Sequence, residues 1–249
     1  MRAILAHASG LPDYGPLAEY HDAVRTGVAP WTEEEFLLRT RSDTLLFEPG
    51  AGFAYSNIGY MLLRRIIMRI GGADMGAVLK HQVFDPLEVK GPMIPLNRAD
   101  LAQFDFGSSS YLGGDGAPVT VKDHYHPGWI ATGVVAASVL DAALMLRRIL
   151  DDLLPEALRA AMIWPWMRPP SDPSDGRPWR APAYGLGLMT DVDETQGPTY
   201  GHSGEGPGCS VAVYHFPRHE LAPTVAVVTD GENVGTAEKI AFAAAANLK

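Results

Sequence analysis

This sequence has a single cysteine, fewer basic than acidic residues and no long apolar run. Its 249 residues include one cysteine, Cys209, so no disulfide can form within the chain. Its 20 lysines and arginines are outnumbered by 29 acidic residues, which gives a net charge of -9. Because nucleic acids and anionic membranes bind basic surfaces, neither is expected as a main partner. No run approaches the ~18 apolar residues of a membrane-spanning helix, and no apolar core of a signal peptide is predicted near Met1.

Glycine and proline are plentiful, with 26 and 20 residues, and they predict many turns and long loops. Residues 1–183 are predicted to be mainly helical with long loops, and residues 184–249 to hold antiparallel strands and a last helix, all within one cooperative unit. Helices followed by an antiparallel meander indicate the α+β class. The predicted strands are Tyr184–Thr190, Gly208–Phe216 and Pro223–Thr229. The predicted helices begin near Thr32, Ser56, Met75, Ser138 and Thr236.

The helix that begins near Ser56 carries the first candidate site, Tyr55-Ser56-Asn57. Apolar residues cover most of this helix, which is therefore predicted to be largely buried. A phenol with a pKa of about 10 is a poor base unless nearby cations stabilise the phenolate. The amide of Asn57 can bond a substrate carbonyl or amide group. A helix cap beside a packed aromatic ring explains the same residues, so the tripeptide alone leaves both interpretations open.

The second candidate is the glycine-rich stretch Gly201-His-Ser-Gly-Glu-Gly-Pro-Gly208. Glycines beside a strand let the backbone approach a ligand closely. The stretch imitates the Gly-x-Ser-x-Gly nucleophile elbow, but Glu205 replaces the last glycine and a strand follows where the elbow needs a helix. Ser203 is therefore not predicted as an elbow nucleophile, and a simple glycine-rich hairpin stays an alternative.

No metal or cofactor is predicted. Histidines near one another in sequence are not joined by a zinc-binding helix motif or a cysteine cluster, and they are better explained as surface or loop residues. They are His124, His126, His215 and His219.

Five short motifs stand in one order along the chain. They are His7-Ala-Ser-Gly-Leu-Pro-Asp-Tyr14, Glu48-Pro-Gly-Ala-Gly-Phe-Ala-Tyr-Ser-Asn-Ile-Gly-Tyr60, Phe84-Asp-Pro-Leu87, Tyr184-Gly-Leu-Gly187 and the stretch from Gly201 to Gly208. In this order they resemble the serine beta-lactamase and penicillin-binding family, specifically the class C-like branch with D-alanyl-D-alanine peptidases, esterases and amidases. The resemblance extends through essentially the whole chain and implies a beta-lactamase-like fold, an antiparallel sheet flanked by helices plus a helical region.

The resemblance also implies an acyl-transfer hydrolase that acts on a small-molecule or peptide-like ester, amide or beta-lactam through a serine nucleophile. By resemblance, Tyr55 assists proton transfer and His202 takes the place of the lysine in the family's third motif. A histidine there weakens the fixed positive charge, which favours esterase-like substrates over carboxylate-bearing beta-lactams. The implied substrate-binding positions are Asn57, Ser203, Gly204 and Glu205, the last through its backbone N–H in the oxyanion hole.

The family's Ser-x-x-Lys nucleophile motif has no counterpart in these residues. No serine is followed three positions later by lysine, and Thr236-Ala-Glu-Lys239 is predicted to be a helix start. One explanation is that the chain is N-terminally incomplete, since Met1-Arg-Ala-Ile-Leu5 matches a segment that relatives continue upstream. We therefore expect little or no turnover from these residues alone.

Two alternatives remain. One is a non-catalytic remnant that binds a ligand or a partner. Without the family's opening strands its sheet has a bare edge, so self-association through that edge is expected. The other is an active hydrolase that uses another serine, such as Ser56 or Ser203.

Overall fold

A computed structural model describes residues 1–104, 107–113, 116–170, 176–195 and 197–248. The chain divides into two compact units. The first consists of Met1–Leu79 and Met93–Ala136, and the second of Lys80–Pro92 and Ala137–Lys249. The predicted division at residue 183 and the single cooperative unit remain predictions.

Helices account for nearly all the regular secondary structure described in the first unit. They are α1 (Arg2–Leu5), α2 (Ala18–Thr26), α3 (Glu33–Arg39), α4 (Asn57–Gly71), α5 (Met75–Leu79), α6 (Arg98–Leu101) and α7 (Val121–His124), followed by a 3-10 turn at Pro127–Trp129. Strands β1 (Ser108–Ser109) and β2 (Val119–Thr120) form a small antiparallel pair. The core is aromatic: Phe36 and Trp129 are each 1% exposed, and Tyr14, Tyr20 and Trp31 pack around them.

Capping residues begin α3 and α4 where the sequence predicts. Thr32 and Glu35 form a capping box at the start of α3. The Ser56 hydroxyl accepts the backbone N–H of Gly59 at 3.1 Å, and Gly72 ends α4 in the left-handed conformation with φ of 66°. The prediction that α4 is largely buried is wrong, because Ile70 is 79% exposed. Its buried residues, Ile58, Gly59, Met61 and Leu63, lie in its first half, so only that half enters the core.

An antiparallel sheet dominates the second unit. Its strands are β3 (Pro182–Tyr184), β4 (Met189–Asp191), β5 (Thr199–Gly206), β6 (Cys209–His215) and β7 (Thr224–Thr229), paired in chain order. The helices are α8 (Val139–Arg148), α9 (Glu156–Ile163) and α10 (Val234–Ala246), with π-helical turns at Lys80–Phe84 and Ile149–Leu153. The sheet packs on α10 through Ala212 and Tyr214, which meet Ala237 and Ala241.

One strand prediction needs correction. The single predicted strand Tyr184–Thr190 is a hairpin, because β3 ends at Tyr184, β4 begins at Met189 and Gly187 turns the chain with φ of 79°. The glycine-rich stretch from Gly201 to Gly208 lies in a hairpin, as the alternative interpretation had it, because it forms most of β5 and the turn into β6, where Gly206 pairs with Cys209. Glycine is required within this strand, because a Cβ at Gly201 would lie 2.0 Å from the Val213 carbonyl oxygen.

No helix among the described residues is both long enough and apolar enough to span a membrane.

Candidate active site

A buried histidine positions the segment that carries Tyr55. His7 is 1% exposed, and its Nδ1 accepts the backbone N–H of Ser56 at 3.0 Å. The Tyr55 ring stacks on the His7 ring with centroids 4.0 Å apart, while Tyr55 itself stays 40% exposed. Tyr55 is thus a fixed aromatic side chain at the surface of the first unit, as a residue that meets a ligand must be.

Asp13 orients the side chain of Asn57. The backbone N–H of Asn57 donates to Asp13 Oδ1 at 2.8 Å, and Asn57 Nδ2 donates to Asp13 Oδ2 at 3.2 Å. Because an ionised carboxylate only accepts, the amide nitrogen must face Asp13. The Asn57 amide oxygen is then the atom that can accept a bond from a substrate N–H.

The same carboxylate affects the acidity of Tyr55. Burial raises the pKa of the Tyr55 hydroxyl, and the negative charge of Asp13 raises it further. Burial also raises the pKa of Asp13, although its hydrogen bonds to Asn57 act in the opposite direction. Tyr55 is therefore a neutral phenol at physiological pH in this environment, able to donate a proton or a hydrogen bond. It becomes a base only when a cation is brought near it.

His202, on β5, is held by two hydrogen bonds. Its Nδ1 lies 2.6 Å from the carbonyl oxygen of Ser203, and its Nε2 lies 2.9 Å from the hydroxyl of Tyr184. A carbonyl oxygen only accepts, which assigns the ring proton to Nδ1, so the Tyr184 hydroxyl donates to Nε2. Burial lowers the pKa of His202, and this keeps the ring neutral. The ring therefore has one tautomer and one orientation.

The edge of β5 beside His202 is open. Strand β4 pairs with β5 only from Thr199 to Gly201, whereas β6 continues to pair with it as far as Gly206. Among the described strands, the segment 202–206 therefore has a neighbour on one side only. Backbone groups of alternate residues face the same edge of a strand, so those of Ser203 and Glu205 lie on one edge.

The side chain of Ser203 points to the face of the sheet that packs on α10. Its hydroxyl donates to Glu238 Oε1 at 2.5 Å. Glu238 lies on α10, is 0% exposed, and accepts further hydrogen bonds from the Arg177 guanidinium, the Tyr214 hydroxyl (3.0 Å) and Trp179 Nε1 (3.2 Å). Burial alone would raise the pKa of Glu238, but the bonds from Arg177 and Ser203 hold it below its usual value.

The sequence reasoning missed Glu238, Arg177 and Tyr184 as members of these contacts. Glu238 falls within Thr236-Ala-Glu-Lys239, which the sequence predicts to be a helix start, whereas α10 begins two residues earlier, at Val234, with Asn233 as its cap. A signal was nevertheless present, since Glu238 and Lys239 are the only charged residues in the alanine-rich α10. The Glu205 carboxylate, by contrast, lies outside these contacts and accepts the backbone N–H of Val234 at 3.0 Å.

The structure groups the predicted site residues by unit. Tyr55 and Asn57 lie together in the first unit, two residues apart. The second unit carries the consecutive residues His202, Ser203, Gly204 and Glu205 on β5. Their roles in catalysis and substrate binding remain predictions.

Comparison with known proteins gives the family. The family described as Beta-lactamase matches residues 1–248. The chain belongs to the beta-lactamase family. This beta-lactamase-family chain is 25% identical over 230 residues to penicillin-binding protein 4* of Bacillus subtilis (strain 168), an alignment that covers 88% of the chain and 49% of the relative. The chain thus spans about half the length of that curated relative.

Solved structures confirm the beta-lactamase-like α+β fold. A D-stereospecific amidohydrolase from Streptomyces sp. superposes with a TM-score of 0.79 at 21% identity, over 96% of this chain and 70% of that one. The octameric penicillin-binding protein homologue from Pyrococcus abyssi superposes with a TM-score of 0.76 at 24% identity, over 98% of this chain and 54% of that one. The chain is accordingly a hydrolase scaffold of the beta-lactamase and penicillin-binding family, as the order of its motifs predicted.

Proposed function

We propose that this chain supplies the proton-transfer and substrate-binding side chains of an acyl-transfer hydrolase that acts on an ester, an amide or a beta-lactam. Tyr55 and His202 are the proton-handling groups, the Asn57 amide oxygen accepts a substrate N–H, and the backbone N–H of Glu205 donates to a substrate carbonyl oxygen. The observation that carries the proposal is the open edge of β5 beside His202, a neutral ring whose Nε2 accepts the Tyr184 hydroxyl and can therefore take up a proton through that hydroxyl.

The open edge suits a substrate with a peptide-like backbone. An extended chain binds such an edge by adding a strand, and main-chain hydrogen bonds then hold the substrate while neighbouring side chains act on it. His202 lies where β5 leaves β4, so it would adjoin the reacting part of a substrate bound there. Esters and amides fit this arrangement because each offers a carbonyl oxygen for the oxyanion hole.

The nucleophile is the missing component. Ser56 is 1% exposed, and its hydroxyl donates to the Pro12 carbonyl at 2.8 Å while capping α4. The Ser203 hydroxyl is engaged by Glu238. Neither serine is therefore presented for attack on a carbonyl, which argues against a recruited nucleophile. We infer that these 249 residues by themselves give little or no turnover.

A labelling experiment tests the proposal. The intact mass of the folded chain is measured after incubation with a fluorophosphonate probe and, separately, with a penicillin, and Ser56→Ala and Ser203→Ala are matched controls. We expect no adduct on the chain. A stoichiometric adduct on the chain that either substitution abolishes would show that a nucleophile exists within it and would overturn the inference of inactivity.

The hydrolase part of the proposal is tested on an extended form of the protein. If an in-frame Ser-x-x-Lys is encoded upstream of Met1, the extended protein should be labelled on that serine and should cleave ester or D-amino-acid amide substrates. D-amino-acid amides belong in the panel because a structural neighbour is a D-amino acid amidase, with 22% identity and a TM-score of 0.71. A folded extended protein that neither reacts nor turns over would favour a binding remnant.

Self-association through a sheet edge stays part of the proposal. It predicts a mass above 26.8 kDa for the chain in solution by light scattering. A clean monomer would contradict it.

A further inference from the structure

The carboxylate of Glu238 is surrounded by donors that come from other parts of the second unit. Oε1 accepts from Arg177 Nη2, Ser203 Oγ and Tyr214 OH, and Oε2 accepts from Arg177 Nε at 2.8 Å and Trp179 Nε1 at 3.2 Å. Five donors from four side chains converge on two oxygen atoms. Such a set binds an ionised carboxylate closely and in one orientation.

None of these donors belongs to α10. Ser203 is on β5, Tyr214 is on β6, and Arg177 and Trp179 precede β3. The shell is also packed without help from the carboxylate, because the Trp179 ring meets the Tyr214 ring edge-on at 5.1 Å and the Arg177 guanidinium lies 5.9 Å from the Trp179 ring centroid. The donors are thus held by the sheet and its flanking segment, while α10 contributes only the acceptor.

We propose that Arg177, Trp179, Ser203 and Tyr214 form a carboxylate-binding site, which Glu238 fills from α10 and which a small monocarboxylate can fill when Glu238 is removed. The inference has one consequence for the substrate, and that consequence rests on the proposed function. Ser203 belongs to the substrate-binding motif, and with its hydroxyl and the Arg177 charge committed to Glu238, this site does not recruit a carboxylate on the substrate. The substrates expected are therefore esters or amides without a carboxylate at that position.

The test replaces the internal carboxylate with a free one. Glu238→Ala deletes the Cγ and carboxylate of the side chain, which together are acetate less one hydrogen. Thermal unfolding of the chain is followed by circular dichroism in sodium acetate and in sodium chloride at equal ionic strength and pH 7. Acetate at about 100 times its Kd should raise the Tm of Glu238→Ala by roughly 5–10 °C, with a saturable dependence on concentration.

Two controls make the result specific. Glu238→Gln fills the same volume with an amide and leaves no room for acetate, so its Tm should be equal in the two salts. Asp151→Ala removes a carboxylate that is 40% exposed, and it should behave like the unaltered chain. A larger acid such as benzoate should have no effect on Glu238→Ala, because the deleted group leaves space only for a molecule the size of acetate.

The proposal is overturned if folded Glu238→Ala shows no saturable response to acetate, or if the unaltered chain responds equally. Where Glu238→Ala is unfolded in chloride, the same titration measures the folded fraction, and failure of acetate to recover folded protein is equally decisive. The readout needs neither a nucleophile nor turnover. Failure of the hydrolase proposal would instead show as an unlabelled extended protein that still binds acetate after Glu238→Ala.

Discussion

Replacing Glu238 with glutamine keeps the shape of the side chain and removes its charge. The amide oxygen can still accept on one side, but the new NH2 group faces donors from Arg177 and Trp179. Removing one partner of a buried ion pair costs ~3–5 kcal/mol. The Arg177 side chain is 32% exposed and can be partly solvated by water, so a loss near the lower limit, about 3 kcal/mol, is expected.

Urea unfolding followed by circular dichroism measures this loss, and Asp151→Asn is the matched control. Asp151 pairs with Arg147 in the same unit, but the two side chains are 40% and 42% exposed. An exposed pair one helical turn apart contributes only ~0.3–0.5 kcal/mol. If the two variants lost stability to within about 1 kcal/mol of each other, the reasoning from burial would be refuted.

The pH dependence of the free energy of unfolding tests the charge state of Glu238 independently. The pKa of Glu238 in the folded chain lies below its usual value, so the unfolded chain binds the proton more readily. The stabilisation by Glu238 is complete above the usual glutamate pKa of about 4.3 and is lost as the pH falls through the folded pKa. The difference in free energy of unfolding between the unaltered chain and Glu238→Gln should therefore be constant from pH 6 to 8 and shrink in acid. A difference that grows in acid would contradict the assigned charge state.

Two further substitutions follow from the geometry of β5. Tyr184→Phe removes the donor to His202 Nε2, so the Nε2 signal in ¹⁵N NMR should move towards that of an unprotonated nitrogen without a hydrogen bond, while Nδ1 keeps its proton towards the Ser203 carbonyl; an unchanged Nε2 signal would contradict the assigned bond. Gly201→Ala places a Cβ 2.0 Å from the Val213 carbonyl oxygen and should cost ~1–3 kcal/mol or more in urea unfolding. Gly206→Ala, with nothing within 4 Å of its Cβ, should be within about 1 kcal/mol of the unaltered chain; equal losses for the two glycines would contradict the packing around β5.

Local patterns were sufficient for several elements. Thr32 and Ser56 predicted where α3 and α4 begin, because a cap satisfies backbone groups within a few residues of itself. The order of the motifs predicted the family and therefore the fold class. It also singled out Tyr55, whose stacking on His7 at the surface fits the role proposed for it.

Other features had no local pattern to reveal them. The exposure of Ile70 depends on which half of α4 finds neighbours, and an apolar sequence is compatible with either outcome. The strand β5 is rich in glycine and was not predicted, since its glycines are explained only by the strand that packs beside them.

The sequence by itself determined the composition, the helix caps, the order of the family motifs and the lack of Ser-x-x-Lys within these residues. The tertiary structure decided which distant groups meet. Glu238 bonds Arg177 across 61 positions and Ser203 across 35, and His202 bonds Tyr184 across 18. Hydrogen bonds between residues so far apart leave no periodicity or spacing in the chain, because the backbone path that joins them is set by the packing of the sheet against α10.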